Sequence, residues 1–252
     1  MGAEVVVLSP HRDDAAFSLY FCLRGWAREG VQIRIINFFT RSAYGPHSGF
    51  GRDPIAISNL RKREDRRALK RIDSQIKVED LGFVDAPIRL NIEAVSVCLI
   101  NTAEHVEELS ECLAKTIGAS GARCFMAPLA LGNHVDHVAV RRAAIRAVRP
   151  PHLAFYEDLP YAAWTPESLI KEKVNEAERS TYVTLKPYLI RFGCSLASKA
   201  RAVSTYSSQI GRDEASAIAR FAIRYRRGER IWLPKPAAIW RPLINRYVER
   251  PK

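Results

Sequence analysis

The feature that most restricts the fold is an alternation. Five short apolar runs, at 5–8, 31–39, 78–83, 124–129 and 153–156, are separated by stretches whose apolar residues recur at helical spacing. Parallel strands need long crossovers, and a helix is the usual one, so this pattern predicts an α/β fold: a mostly parallel sheet with helices on both faces. Right-handed crossovers then gather the loops that follow the strands along one edge. Ligands of open α/β sheets bind at that edge.

Helices are expected at 15–29, stopped by Gly30, at 57–72, strongly charged, at 101–117, ended by Gly118 and Gly121, and at 138–148, stopped by Pro150-Pro151. The segment 43–54 is rich in Gly and Pro and lacks periodicity, so it reads as a long loop of functional or mobile character with His47 exposed in it. From about Ala163 the pattern changes to an expected strand at 182–185, a helix from about 186 through 206, another at 213–227, and a Pro-broken tail. No linker or repeat is found. One domain is expected over 1–252, with a core of about 1–162 and a C-terminal extension of about 163–252.

At 252 residues, 47% of them hydrophobic, the chain can bury a full core. It has no window of 18 apolar residues, and Met1-Gly2-Ala3-Glu4 leads directly into a strand without a signal-peptide pattern, so a cytoplasmic protein without a membrane span is expected. Five cysteines, odd in number and without CxxC spacing, argue against a disulfide framework and a Cys-based zinc site; most read as small buried hydrophobes. The net charge of +12 fits nucleic-acid binding, an anionic substrate or a solvated basic surface. Its Lys and Arg residues are spread over several helices without a recognition motif. Nucleic acid is therefore not the expected partner, and the solvated surface is the favoured reading.

Two loops carry chemistry. Ser9-Pro10-His11-Arg12-Asp13-Asp14 follows the first apolar run, and Gly132-Asn133-His134-Val135-Asp136-His137 follows the fourth. Zinc in a catalytic site takes three His or carboxylate ligands and leaves a position for water, which His11, Asp14 and His137 together would satisfy. Asp13, beside a ligand, is then the natural general base for that water. His134, as an imidazolium, would stabilise an oxyanion and protonate a leaving amine. Asp136 is placed to accept a hydrogen bond from one of the imidazoles and fix its tautomer. Such a set suits hydrolysis of an unactivated amide. It does not separate Zn2+ from Fe2+ or Co2+.

The motifs PHRDD and HVDH resemble the two signatures of the LmbE-like or PIG-L superfamily of zinc-dependent N-acetylglucosamine-type deacetylases. The similarity extends to Arg61, Glu64 and Ala68 before Ile72, to Leu81-Gly82-Phe83-Val84-Asp85, to Tyr156-Glu157-Asp158-Leu159-Pro160-Tyr161, and to Lys199 through Tyr206-Ser207-Ser208-Gln209. The resemblance implies a Rossmann-like fold and removal of an acetyl group from an amino-sugar nitrogen in a glycoconjugate or natural-product precursor. It implies zinc on His11, Asp14 and His137, Asp13 as base, His134 as oxyanion and acid group tuned by Asp136, and Arg61 on substrate hydroxyls.

Two positions depart from the family pattern: Arg12 stands where it usually has proline, and Ala15 where it has an acidic residue. Arg12 either adds positive charge at the rim, favouring an anionic substrate, or faces solvent. Ala15 removes a supporting carboxylate, and is the sole support for the alternative of a metal- or sugar-binding protein of altered chemistry. Asp158 either lines the pocket near the metal or bonds to a loop. Tyr161 and Trp164 read as core or rim before sugar-stacking residues, Tyr206 and Gln209 as packing and helix-end contacts, and His105 and His152 as surface or loop residues.

Overall fold

A strand covered on both faces shows in sequence as an unbroken apolar run, and the first strand does so. In β1, Glu4–Ser9, the residues Val5, Val6, Val7 and Leu8 have no exposed surface. The computed structural model describes residues 3–100, 102–118, 122–193, 195–244 and 248–249. Following β1 come α1, Asp14–Ser18, α2, Tyr20–Arg28, β2, Gln32–Arg41, α3, Pro54–Ile72, β3, Lys77–Val84, α4, Ala86–Arg89, and α5, Thr102–Gly118. Next are β4, Phe125–Pro128, α6, Val135–Ala147, β5, Leu153–Tyr156, α7, Tyr161–Trp164, and α8, Glu167–Thr181. The chain then forms β6, Leu185–Ile190, α9, Leu196–Val203, α10, Arg212–Phe221, β7, Glu229–Pro234, α11, Arg241–Ile244, and β8, Val248–Glu249.

The described strands form one sheet in the order β3-β2-β1-β4-β5-β7-β6-β8. The first five are parallel and the last three antiparallel, giving a mostly parallel sheet flanked by helices. Successive strands run outward from β1 through β2 to β3, and the chain returns to the other side of β1 for β4 and β5. The order reverses at β1 and β4, whose register pairs Val6 with Phe125 and Val7 with Met126. That reversal opens a crevice beyond the C-terminal ends of the two strands.

The α3 helix starts where the chemistry favours it. Asp53 caps it, accepting from the N–H groups of Ile55 and Ala56, and Pro54 occupies the first turn. The helix expected at 15–29 is divided between α1 and α2 at Leu19, whose φ of −124° leaves the helical range. Asn101 and Gly121, part of the expected boundaries of the next helix, lie outside the described residues, as does Cys194. The described cysteines, Cys22, Cys98, Cys112 and Cys124, are free thiols.

The C-terminal expectations need correction. Residues 186–190 are strand, not helix, and Tyr182 is the left-handed residue that ends α8, a helix the sequence pattern did not reveal. Strand β6 contains Pro187, which normally argues for an edge, and β8 pairs only with its far end, at Leu189 and Ile190. Strand β7, Glu-Arg-Ile-Trp-Leu-Pro, lies in the expected Pro-broken tail and joins β5 to β6. The helix expected at 213–227 ends at Phe221 and continues as a single 3-10 turn, Ala222–Tyr225. Residues after 162 thus extend the sheet. Among the described residues no helix is long and apolar enough to cross a membrane.

Candidate metal centre and active site

The adjacency of β1 and β4 brings together side chains more than a hundred positions apart. The loop leaving β1 presents His11 and Asp13, and Asp14 opens α1. Gly132, at φ 79°, turns the chain after β4 so that His134 caps α6, with Asp136 and His137 in the helix's first turn. The segment expected as a loop up to His137 is therefore helical from Val135. A Cβ at Gly132 would stand 2.5 Å from the ring of Tyr161, so close packing as well as backbone conformation requires glycine there.

Asp14 Oδ2 lies 3.3 Å from His11 Nδ1 and 3.4 Å from His137 Nε2. Each histidine is held from behind by a carboxylate: His11 Nε2 is 3.1 Å from Asp136 Oδ2, and His137 Nδ1 is 2.8 Å from Asp158 Oδ2. Such buttressing orients metal-ligating imidazoles. Among the described residues, two groups of three have ligand atoms within 4.8 Å of one another, His11/Asp14/His137 and His11/His134/Asp136. The first fits a metal better. His137 Nε2 is buried without a hydrogen-bond partner and faces Asp14, whereas Asp136 is already engaged by Arg89 at 2.8 Å and by the Ala86 N–H at 3.0 Å.

This centre forms the floor of a pocket of about 210 Å³, whose lining includes His11, Asp13, Asp14, Tyr44, Arg61, Asp85, His134, His137, Tyr161 and Gln209. A second hollow of about 510 Å³ adjoins it and shares Tyr44, Pro87 and Ala94. On its far side an exposed ion pair, Arg52 to Glu93 at 2.7 Å, bridges the loop before α3 to the loop after α4.

The sequence of this chain matches the PIG-L family, described as GlcNAc-PI de-N-acetylase, over residues 6–148, more than half its length. The chain belongs to that family. It is 29% identical over 259 residues to the 2'-N-acetylparomamine deacetylase of Streptomyces fradiae, covering 93% of this chain and 91% of that one. Its fold is similar to a deacetylase of teicoplanin biosynthesis, with TM-score 0.63 and 22% identity over 92% of this chain and 97% of that one. It is likewise similar to N,N'-diacetylchitobiose deacetylase from Pyrococcus horikoshii, with TM-score 0.61 and 16% identity over 94% and 85% of the two chains.

In this PIG-L chain, burial sets the charge states around the pocket. Burial raises the Asp13 carboxyl above its usual range and Asp14 adds to the rise, while Arg61, 3.4 Å away, opposes it. Burial and the neighbouring charge of His11 keep His134 well below the normal imidazole range. Its Nδ1 accepts the Asp136 N–H at 3.1 Å, which leaves the proton on Nε2. Burial opposes charge on His11, but its bonds to Asp136 and Asp14 outweigh that and lift it to about 10 without metal. Burial likewise opposes charge on Asp14, yet His137 and His11 bring it down to about 2.

Several expected site residues stand elsewhere. Arg12 is neither at the rim nor in solvent: it is 5% exposed and absent from the pocket lining, with Asp80 at 3.2 Å and the carbonyls of Thr40 and Ser58 taking its donors. Asp136 accepts from the His11 imidazole and meets His134 only through its backbone. Asp158 is wholly buried behind His137 and also accepts the Leu131 N–H, so it holds that imidazole from behind and is absent from the pocket lining. Ala15 is buried in α1, its N–H on Ser9 Oγ. Tyr161 does line the pocket, its ring edge-on to His137 at 5.3 Å, while Trp164 is 73% exposed. Tyr44, Arg89 and the lining residues Ala94, Val95 and Val97 were not among the expected site residues, and Asp85 entered only as the end of the family-like segment Leu81–Asp85.

Proposed function

We propose that this protein is a metal-dependent N-deacetylase of amino sugars, with His11, Asp14 and His137 as the metal ligands and Zn2+, Fe2+ or Co2+ as the ion. The observation carrying this reading is the buried, unpartnered His137 Nε2 facing Asp14, with Asp13 and His134 on the same pocket. A divalent ion held there supplies Lewis-acid activation of water, for zinc to a pKa near ~7.

Asp13 takes a proton from the attacking water as its oxygen bonds to the acetyl carbon. His134 donates its Nε2–H to the carbonyl oxygen as that atom becomes an oxyanion. His134 Nδ1 accepts the Asp136 N–H and burial disfavours a second proton, which supports a neutral imidazole in place of the expected imidazolium. His134 therefore acts as a neutral donor, and Asp13 returns its proton to the amine as the C–N bond breaks, giving acetate and free amine. Arg61 restrains Asp13 and reaches Ser42 Oγ at 2.8 Å, leaving an edge at the pocket for sugar hydroxyls.

The small pocket suits one sugar ring and the adjoining hollow suits the rest of a glycoconjugate or natural-product precursor. The likeness to the paromamine deacetylase supports a multi-ring amino sugar. A divalent ion together with Arg61 balances Asp13, Asp14 and Asp85 in the pocket lining, which favours a neutral substrate. The free thiols of the four described cysteines fit action in the reducing cytoplasm. The test is acetate release from N-acetylamino sugars, neutral and phosphorylated and including 2'-N-acetylparomamine, with Zn2+, Co2+ or Fe2+ or with chelator. No release under any metal would refute the reading.

A further inference from the structure

Gln209 is 2% exposed and lines the pocket with Asp13, Tyr44 and Arg61. Its Oε1 and Nε2 are both buried and meet no hydrogen-bond partner, and among the described residues no other side chain has two such atoms. A buried, unpaired carboxamide destabilises the protein that contains it, so it calls for an explanation.

The backbone that presents this amide is held from several directions. Glu64 on α3 accepts from the Ser208 N–H at 2.8 Å, from Ser208 Oγ at 2.6 Å and from Ser207 Oγ at 3.2 Å. Asp65 accepts from the Tyr206 hydroxyl at 2.8 Å, and the long loop before α3 joins in through His47 N–H to Ser208 O at 3.0 Å. Arg61 and Glu64 are three residues apart and share a face of α3. One face of that helix thus sends a guanidinium to the pocket and grips the turn bearing Gln209. The turn that carries the side chain is bonded on several sides, and the amide itself is not.

We propose that Gln209 is a specificity-determining residue, its carboxamide donating to one hydroxyl and accepting from the adjacent hydroxyl of a vicinal diol on the amino sugar. The last side-chain torsion of glutamine is soft, so the amide turns toward such a ligand at little cost. The identity of the ligand as a sugar rests on the deacetylase reading above.

The experiment compares wild type with Gln209→Met, which keeps the volume and removes both polar atoms. With methyl N-acetyl-glucosaminide as substrate, KM rises about ten- to thirty-fold while kcat stays within about twofold, as for lost uniform binding. The metal-free variant melts about 2–4 °C higher than wild type, because an unpaired amide has left the interior. Wild type discriminates against the analogue deoxygenated at either hydroxyl of the diol, and the variant does not. A melting temperature at or below wild type, or an unchanged KM, overturns the proposal. If wild type releases no acetate, the deacetylase reading fails separately. Gln209 is then judged by melting and by calorimetric affinity for methyl glucosaminide, where equal affinities overturn it.

Discussion

Two buried polar clusters lie on either side of the first motif, and neighbouring residues divide between them. His11 and Asp14 enter the candidate metal centre, where His137 Nε2 faces Asp14 without a hydrogen-bond partner. Arg12, between them, points into a cluster of Asp80, Asn37, Asp65 and Tyr206, where its three nitrogens are all bonded and only Asn37 Oδ1 lacks a partner. Both clusters are charged and buried. Each leaves one atom without a hydrogen bond, and what separates them is its chemistry: an imidazole nitrogen facing a carboxylate is open to a cation, whereas one amide oxygen is the single gap in a network that otherwise braces the fold.

The largest expected effects fall on the open cluster. Asp13→Asn lowers kcat by at least about 10²–10⁴ in acetate release while elemental analysis still finds one metal per chain. His137→Ala loses the metal itself. If Asp13→Asn turned over normally, the base assignment would fall. In the other cluster the expectation reverses: Arg12→Ala leaves Asp80 with only Asn37 and the more distant Lys62 and destabilises the fold by roughly 2–3 kcal/mol, read from denaturant unfolding. The folded fraction of that variant keeps wild-type kcat, and a selective loss of turnover would return Arg12 to the site.

Smaller effects concern protons. Metal-free His11, lifted to about 10, carries a proton at neutral pH that a ligating nitrogen must lose. Metal uptake at pH 7 therefore releases on the order of one proton, measurable by calorimetry in buffers of different ionisation enthalpy. Because its folded value is raised, His11 contributes stability to the metal-free protein that is complete below ~6.5 and lost as pH rises through about 10. Asp65 in the Arg12 cluster is raised by burial, with Asp80 adding, to about 7. Its stability contribution is complete below ~4 and fades as pH rises through about 7, so wild type loses melting temperature over that interval and Asp65→Asn loses less.

Much of the parallel half was legible because strands covered on both faces must be apolar throughout, as Val5 to Leu8 are. His11, Asp14 and His137 were legible for a related reason, since each follows such a run. The antiparallel half was not: β6 carries Lys186 and Pro187 and β7 carries Glu229 and Arg230, so neither reads as a continuous apolar run. Glu229 is buried because Lys199, equally buried, bonds it at 2.8 Å, a pairing that overrides local polarity. His134 looked like a loop residue because histidine is an uncommon cap, and only the Asp136 N–H on its ring shows where α6 begins.

The sequence by itself determined that the polar motifs would lie at the carboxyl edge of an α/β sheet, because burial imposes a period that local residues must obey. It also supplied the residue types a divalent ion requires. Only the tertiary structure decided that Asp136 serves His11, that Asp158 serves His137, that Arg12 turns away and that Gln209 is left unpaired. Those outcomes depend on which strands are neighbours, and a hydrogen bond spanning 125 residues, as from His11 to Asp136, leaves no periodic trace along the chain.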